Sequence, residues 1–462
     1  MNSTKIVHNR PAPVLPSITS PRKEVNVFSI NLSSQMHAPL FSVNYGKVSP
    51  ILVDTFDVSP DQLHYSFVLR EINFHNGEKL TTYHVKKSLE SVIKLRSSGF
   101  NRLNNIAGYE SFLEAPDNLT GIEIHSAKKF SIKLSKPTPD LIVTLSDLRN
   151  VILFDENMPE VGIGPFRIIN SSNSEILLEN TNKASKNDID FLRYYKTNKE
   201  NAIIDFNQKK AHDLFLFPIS ESDLNGIENG HISTSFPPRT YLFALNSETL
   251  ELEERAWLIQ KLPSFDSLKT CYPDGIKASS ISPKGRYGYL EKDEVPSLSL
   301  KKRPPKKEIT ISISNGVGSE KCVQDKIKAS ISDSIKSKIV IDDGKNVVEK
   351  WNQNRYDISF FYLELDNSID EFQFFTSESS LNLGPKENKI FTEQINQFYD
   401  EQDHVKKNIL AKKLNQKIIE FQSIKPIYYP KQHLIYSNRY NQINFSKRQD
   451  ADMTISVLTL KH

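Results

Sequence analysis

Cysteine is nearly absent from this chain, with Cys271 and Cys322 the only two among 462 residues. Two cysteines exclude a disulfide-dense mini-scaffold, and without a C-x-x-C pair or Cys/His zinc spacing they exclude a structural zinc module. Their simplest reading is a pair of free, mostly buried thiols. A disulfide would require Cα atoms within about 7 Å, which sequence does not reveal. Charge of one sign is lacking as well. The formal net charge is +3, too small a field to argue for nucleic acid. No apolar run approaches the roughly 20 residues that cross a bilayer. Met1 to Arg10 carry little apolar character, and neither a secretory apolar core nor a lipobox cysteine follows. Two readings stay open there: an export segment has been removed, or the protein remains in the cytoplasm.

Catalytic signatures are equally thin. There is no G-x-S-x-G, no H-E-x-x-H and no G-x-x-x-x-G-K-[ST]. The Gly316-Val317-Gly318 loop lacks the third glycine and the Lys-Ser/Thr of a phosphate cradle, so it reads as an ordinary turn between a strand and a helix. Acid pairs such as Glu253-Glu254 and Asp342-Asp343 read as solvated surface. The eleven histidines are scattered. Glycosidase carboxylates leave no sequence signature, so these absences alone do not exclude an enzyme. No cofactor or metal site is expected.

What is present is enough chain for two or three domains with ample cores. Residues 1–24, with four prolines, read as an extended or disordered arm. Val25 to Leu32 alternates as a strand. Residues 63–70 place Leu63, Tyr65, Phe67 and Leu69 on one face of another. Thr81 or Thr82 can cap a helix whose buried face is Val85, Leu89, Val92 and Ile93. Gly121–His125 and Phe130–Leu134 form a hairpin-like pair. Lys210 to Leu216 reads as a helix end leading into a strand. After the basic connector Lys301 to Lys307, strands and helices alternate. Strands are expected at 309–314, 339–341 and 358–363, with helices at 320–335 and near 347–351. A long helix at 403–421 carries Val405, Ile409, Leu410, Leu414, Ile418 and Ile419. Residues 432–436 and 454–460 alternate as closing strands.

Within this pattern Asp61 to Leu89 stands out. It reads Tyr65-Ser-Phe-Val-Leu-Arg70, then Phe74-His75-Asn76-Gly77-Glu-Lys-Leu80-Thr81, then His84-Val85-Lys-Lys-Ser88. It resembles the signature of family 5 solute-binding proteins, the peptide, nickel and oligosaccharide receptors of ABC importers: "Y-T-F-x-L-R", "F-H-D-G-x-P-L-T", "A-x-D-V-x-x-S". Gly162-Ile-Gly164-Pro165-Phe166 resembles the family's "G-T-G-P-F/Y". Tyr241 to Asn246, Ser282 to Tyr289 and Pro426 to Tyr429 resemble later segments. His75 within the signature reads as a turn residue bonded to backbone rather than a metal ligand.

The resemblance implies an α/β, two-lobed fold of the type II periplasmic-binding-protein kind, with an extra small β-rich subdomain. Residues 25–46, 150–240 and 425–462 would form lobe I, 47–149 the subdomain and 241–424 lobe II. It implies a binding protein rather than an enzyme, trapping a small molecule or short peptide in an inter-lobe cleft and delivering it to an ABC permease in the membrane. A periplasmic or cell-surface location, a monomer and no nucleic-acid partner go with that reading. The alternative is a ligand-sensing regulatory protein using the same fold without transport.

The ligand-binding residues that follow are Asp366, Glu364, Tyr362, Phe360, Trp257 and Arg239. In the family, an aspartate nine residues after a strand-initiating aspartate receives the ligand's α-amine. Counting from Asp357 without a gap lands on Asp366. The same stretch, Asp366-Asn367-Ser368, also reads as a plain turn. Tyr362-Leu363 replaces the family's Gly-Trp pair, which would narrow the pocket, and Phe360 replaces a basic residue.

Overall fold

The computed structural model describes residues 5–22, 27–44, 47–95, 103–138, 141–182, 189–235, 237, 239–272, 274–284, 286–315, 317, 319–364, 371–376, 381–384, 389–401 and 403–440. The expected strand at 454–460 lies outside them. The chain divides into two compact units: Met1–Ser235 with Gln432–His462, and Phe236–Lys431.

The first unit begins with β1 (Val7–Ala12), α1 (Val27–Met36) and the hairpin β2 (Phe41–Asn44) and β3 (Lys47–Pro50). Two of these correct the expectations above. Residues 7–12 are not an arm: β1 lies parallel to β10 (Phe191–Lys196) at the edge of a four-stranded sheet completed by β9 (Glu175–Asn180) and β8 (Phe166–Ser171). The prolines did not prevent this, because proline is tolerated at an edge. Nor is 25–32 a strand. Phe28, Leu32 and Met36 recur every four residues, and all three pack into the core beneath that sheet. That spacing is a helical stripe.

A second core collects residues from Ala38 to Ile163. Its sheet has the order β4 (Val53–Val58), β5 (His64–Leu69), β7 (Lys129–Lys133), β6 (Ile122–Ile124). Tyr65, Phe67 and Leu69 point inward from β5, as the alternation predicts. Helix α2 (Thr82–Lys94) covers them with Val85, Leu89, Val92 and Ile93, none of which is exposed. The short helices α3 (Tyr109–Glu114) and α4 (Leu141–Thr144) complete this part. Further along, α5 (Lys199–Asn207) and α6 (Glu221–Leu224) precede β11 (Gly230–Ser235), which pairs antiparallel with β18 (Gln432–Ser437). The expected strand near 213–216 is only a single bridge, Asp213 to Tyr436.

The second unit is built on a six-stranded sheet. Its order is β13 (Ile276–Lys277), β17 (Ile424–Tyr429), β12 (Arg239–Leu245), β16 (Ile358–Glu364), β14 (Ile309–Ser314), β15 (Ser337–Asp342). The last three are mutually parallel, with β14 between the other two. One face packs on α7 (Leu252–Lys261), α8 (Phe265–Leu268) and α9 (Glu320–Ile331), through Leu258, Leu268, Val323, Ile327 and Ile331. The other meets α10 (Gly344–Asn352), α11 (Lys389–Asp400) and α12 (His404–Glu420), through Trp351, Phe391, Ile395, Leu414 and Ile418. On α12 the predicted apolar face is only partly correct. Leu414 and Ile418 are buried, but Val405 is 71% exposed and Ile409 48%.

Candidate functional site

The signature residues of the first unit prove to be scaffold. The His75 backbone N–H donates to Gly162 O at 2.8 Å, and its ring Nε2 meets Gly164 O at 2.8 Å. Gly164 N–H donates to Met36 O at the end of α1, at 2.7 Å. A Cβ on Gly162 would lie 1.8 Å from Met36 O, and one on Gly164 would lie 2.6 Å from Gln35 O. The glycines are therefore required by backbone contact. Burial lowers the His75 pKa, and the bond to Gly164 opposes that shift. His75 is thus a backbone-bonded residue, as its sequence context suggests.

In the second unit Asp357 plays a similar part. Its carboxylate takes the Lys307 ammonium at 2.6 Å and the Thr310 N–H at 2.9 Å, fixing the start of β16 beside β14. The consequence is felt at the other end of β16. Helix α9 follows β14 onto one face of the sheet, while the chain after β16 goes to the other face, where Phe372 and Phe375 are buried. The carboxyl ends of β14 and β16 are therefore a topological switch point, the place where open α/β sheets bind ligands.

At that edge the antiparallel strand β12 begins, with Arg239 opposite Glu364 and Tyr241 opposite Tyr362. The Arg239 guanidinium lies over the Tyr362 ring, 4.5 Å from its centroid. Tyr362 is 5.2 Å from Tyr241, which stacks on Tyr428 of β17 at 4.3 Å. Tyr272, beyond α8, stacks on Tyr428 at 4.7 Å. Burial pushes the phenols of Tyr272 and Tyr428 well above the ordinary range, so both stay neutral donors. Tyr241 and Tyr428 are buried in the core, so the face this group offers is the half-buried Tyr362 and Tyr272 with the Arg239 guanidinium, able to pack a small solute and to hydrogen-bond it.

The expected ligand residues distribute as follows. Arg239 and Tyr362 come together at this edge. Glu364 ends β16 in register with Arg239. Phe360 is not a surface group: it is fully buried, 4.7 Å from Phe243, because its side chain shares the inward face of β16 with Ile358. Trp257 sits on α7 over the same core, with the Lys261 ammonium 5.7 Å from its ring. Asp366 lies outside the described residues. Sequence reasoning passed over Tyr241, Tyr272 and Tyr428 as site groups. The usable signal was three tyrosines, each beside a segment already singled out.

Cys271 and Cys322 are not free thiols. They form a disulfide with Cα atoms 5.8 Å apart, joining the stretch after α8 to the first turn of α9. A separation of 51 residues hid that proximity from the sequence. Such bonds persist in oxidising compartments.

Comparison with known proteins bears on the whole chain. Residues 47–261 match the model of the bacterial extracellular solute-binding proteins, family 5. That segment, a little under half of the chain, is similar to family 5. Solved structures agree on the fold along the full length. The Haemophilus influenzae OppA complex with the peptide RPPGFSPFR matches with a TM-score of 0.78 at 15% identity, over 99% of each chain. AgaA from A. tumefaciens R10 with agropinic acid gives 0.78 at 16%, again over 99% of each. A dipeptide-binding protein from Pseudoalteromonas sp. SM9913 with Met-Leu gives 0.75 at 15%, over 98% of this chain and 100% of the other. At such identities these likenesses establish the fold: the α/β architecture of the two-lobed periplasmic binding proteins. Among the described residues no helix is long and apolar enough to cross a membrane.

Proposed function

We propose that this chain is the solute-binding component of an ABC import system, capturing a short peptide outside the cytoplasm and delivering it to a membrane permease. The observation that carries the reading is the family 5 match over residues 47–261. The Arg239–Tyr362 edge at the switch point of the second unit supplies a surface suited to a small polar solute. Structural relatives bind a nonapeptide, a dipeptide and agropinic acid. Tyr362, where peptide-binding members carry glycine, favours the small end of that range. Asp366, two residues beyond the end of β16, supplies the carboxylate for a ligand ammonium. The disulfide accords with an extracytoplasmic location.

Native mass spectrometry of protein purified without denaturation tests the reading, together with calorimetry using di-, tri- and pentaalanine. The expected result is a co-purified solute of peptide mass, and tighter binding of the two shorter peptides. A co-purified non-peptide solute would keep the binding role and remove the peptide. Failure to find any solute under either protocol would reject the role itself.

A further inference from the structure

The tyrosine stack has one member that the central strands do not supply. Tyr241 and Tyr428 are register partners on β12 and β17, so the sheet itself holds them. Tyr272 comes from the stretch after α8, a helix of four residues capped by Ser264. Its backbone N–H reaches back to Leu268 O at 3.1 Å. Its ring nevertheless stands 4.7 Å from Tyr428, 5.4 Å from Tyr241 and 6.4 Å from Phe360. Three residues further on, a Cβ on Gly275 would come within 2.5 Å of the Tyr428 ring, so the chain must leave the stack through a residue without a side chain.

The residue before Tyr272 is Cys271, bonded to Cys322. Cys322 lies in the first turn of α9, the helix that follows β14 from the switch-point edge and buries Val323, Ile327 and Ile331 in the same core. One covalent bond therefore ties the least regular wall of the stack to one of its best-anchored helices. We propose that the Cys271–Cys322 disulfide is a positioning device for Tyr272, and that Tyr272 sets the solute affinity of the switch-point edge. The path runs from Tyr272 through Tyr241 to Tyr362 beneath Arg239, each step a direct ring or cation–ring contact. This rests on the reading of that edge as the solute site. It adds that a bond on the far side of the stack controls how well the edge is formed.

Three variants test it: Tyr272→Ala, Cys271→Ser with Cys322→Ser, and the triple combination. The probes are trialanine in calorimetry and the near-UV tyrosine circular dichroism of unliganded protein. The double serine variant should keep its far-UV spectrum, lose near-UV tyrosine intensity and bind trialanine roughly 3- to 10-fold more weakly, the worth of one aromatic contact. Tyr272→Ala should lose a similar factor with the disulfide intact. The triple variant should be no weaker than either, because both changes remove the same interaction. Wild-type affinity with an unchanged near-UV band in the double variant overturns the proposal, and so do additive losses in the triple. If the double variant fails to fold, Tyr272→Ala decides: unchanged affinity rejects the role of Tyr272. If wild type binds no trialanine, the peptide reading fails instead. The near-UV comparison then decides the positioning claim alone, an unchanged band counting against it.

Discussion

Arg10 and Asp213 meet at 2.7 Å with neither side chain exposed to solvent. Around them His8 Nε2 lies 2.7 Å from Asp213, and Arg10 Nη1 donates to Asn31 Oδ1 at 2.8 Å. The Tyr440 hydroxyl lies 2.5 Å from His8 Nδ1. Burial keeps His8 neutral, which suits an imidazole donating to Asp213 and accepting from Tyr440. Strand β1, the 212–213 segment and the end of the described chain are thus tied by one buried polar network.

Burial alone would raise the Asp213 pKa, but the Arg10 charge and the His8 bond outweigh it and hold the carboxyl at about 2, below its ordinary 3.8. A depressed carboxyl stabilises the fold above its unfolded value and loses that contribution as pH falls through the folded one. The Asp213 contribution should therefore be full above about pH 4 and be lost between about pH 4 and 2, while the neutral His8 makes the fold less favourable as pH falls below its ordinary 6.5. Arg10→Met should cost about 3–5 kcal/mol at pH 7, since it strands a buried carboxylate. Urea unfolding at pH 7 and pH 2.5 checks this: the gap between wild type and variant should shrink at the lower pH.

Gly162 and Gly164 should not accept alanine. A Cβ at either position runs into backbone oxygen of α1, which cannot swing away as a flexible side chain could. Each substitution should destabilise the first unit by about 1–3 kcal/mol, the usual cost of overpacking. His75→Ala should cost about 1 kcal/mol through the lost bond to Gly164. Thermal unfolding of the three variants measures both effects.

The disulfide makes a separate claim on stability. It closes a separation of 51 residues, and its removal in the Cys271→Ser, Cys322→Ser variant should cost about 2–4 kcal/mol. Thiol titration of unfolded wild type without reductant should find no free thiol. Two free thiols would show that the bond does not form.

Lys425 gives a pH signature of the same sign at the alkaline end. Its ammonium donates to Ile259 O and Leu262 O at 2.7 Å each, capping the end of α7 where Pro263 stops the helix. Burial, with Lys277 nearby, lowers its pKa from 10.5 to about 8. A lysine depressed on folding penalises the folded state below the folded pKa, and the penalty fades as pH rises from about 8 to 10.5. Wild type minus Lys425→Met should therefore become more favourable across that window. A pH-independent difference would contradict the assignment.

How much of this was readable depended on whether one face of an element alone decided its state. Strand β5 and helix α2 were legible because Tyr65, Phe67 and Leu69 alternate, and Val85, Leu89, Val92 and Ile93 follow a helical stripe, with no competing period. Residues 27–36 carry both patterns. The alternation read from Val25 to Leu32 suggested a strand, while the Phe28–Leu32–Met36 stripe that packs in the structure makes a helix. Strand β1 was hidden because its pairing with β10 spans 184 residues, as between Val7 and Phe191. On α12, Val405 and Ile409 matched the period, but nothing local said that the core ends before the helix's first turns. At the site, sequence named Arg239 and Tyr362 but not the tyrosines beside them. The stack draws its rings from three separate strands and the stretch after α8, which lie far apart in sequence.

The last prediction concerns Asp366. If its carboxylate holds a ligand ammonium, Asp366→Asn keeps the shape of the side chain and removes the charge. The expected loss for trialanine is about 1.5–3 kcal/mol, the worth of a hydrogen bond to a charged group, or roughly 10- to 150-fold in affinity. N-acetylating the peptide should cost wild type a similar factor. Acetylated peptide should lose little more in the variant, because each change removes the same interaction. Tyr362→Gly offers an independent check on ligand size: with the ring under Arg239 gone, pentaalanine should gain on trialanine. Calorimetry on the two variants with free and acetylated peptides separates the cases. Additive penalties for Asp366→Asn and acetylation would reject the amine anchor while leaving the Arg239–Tyr362 edge as the place to look for the solute.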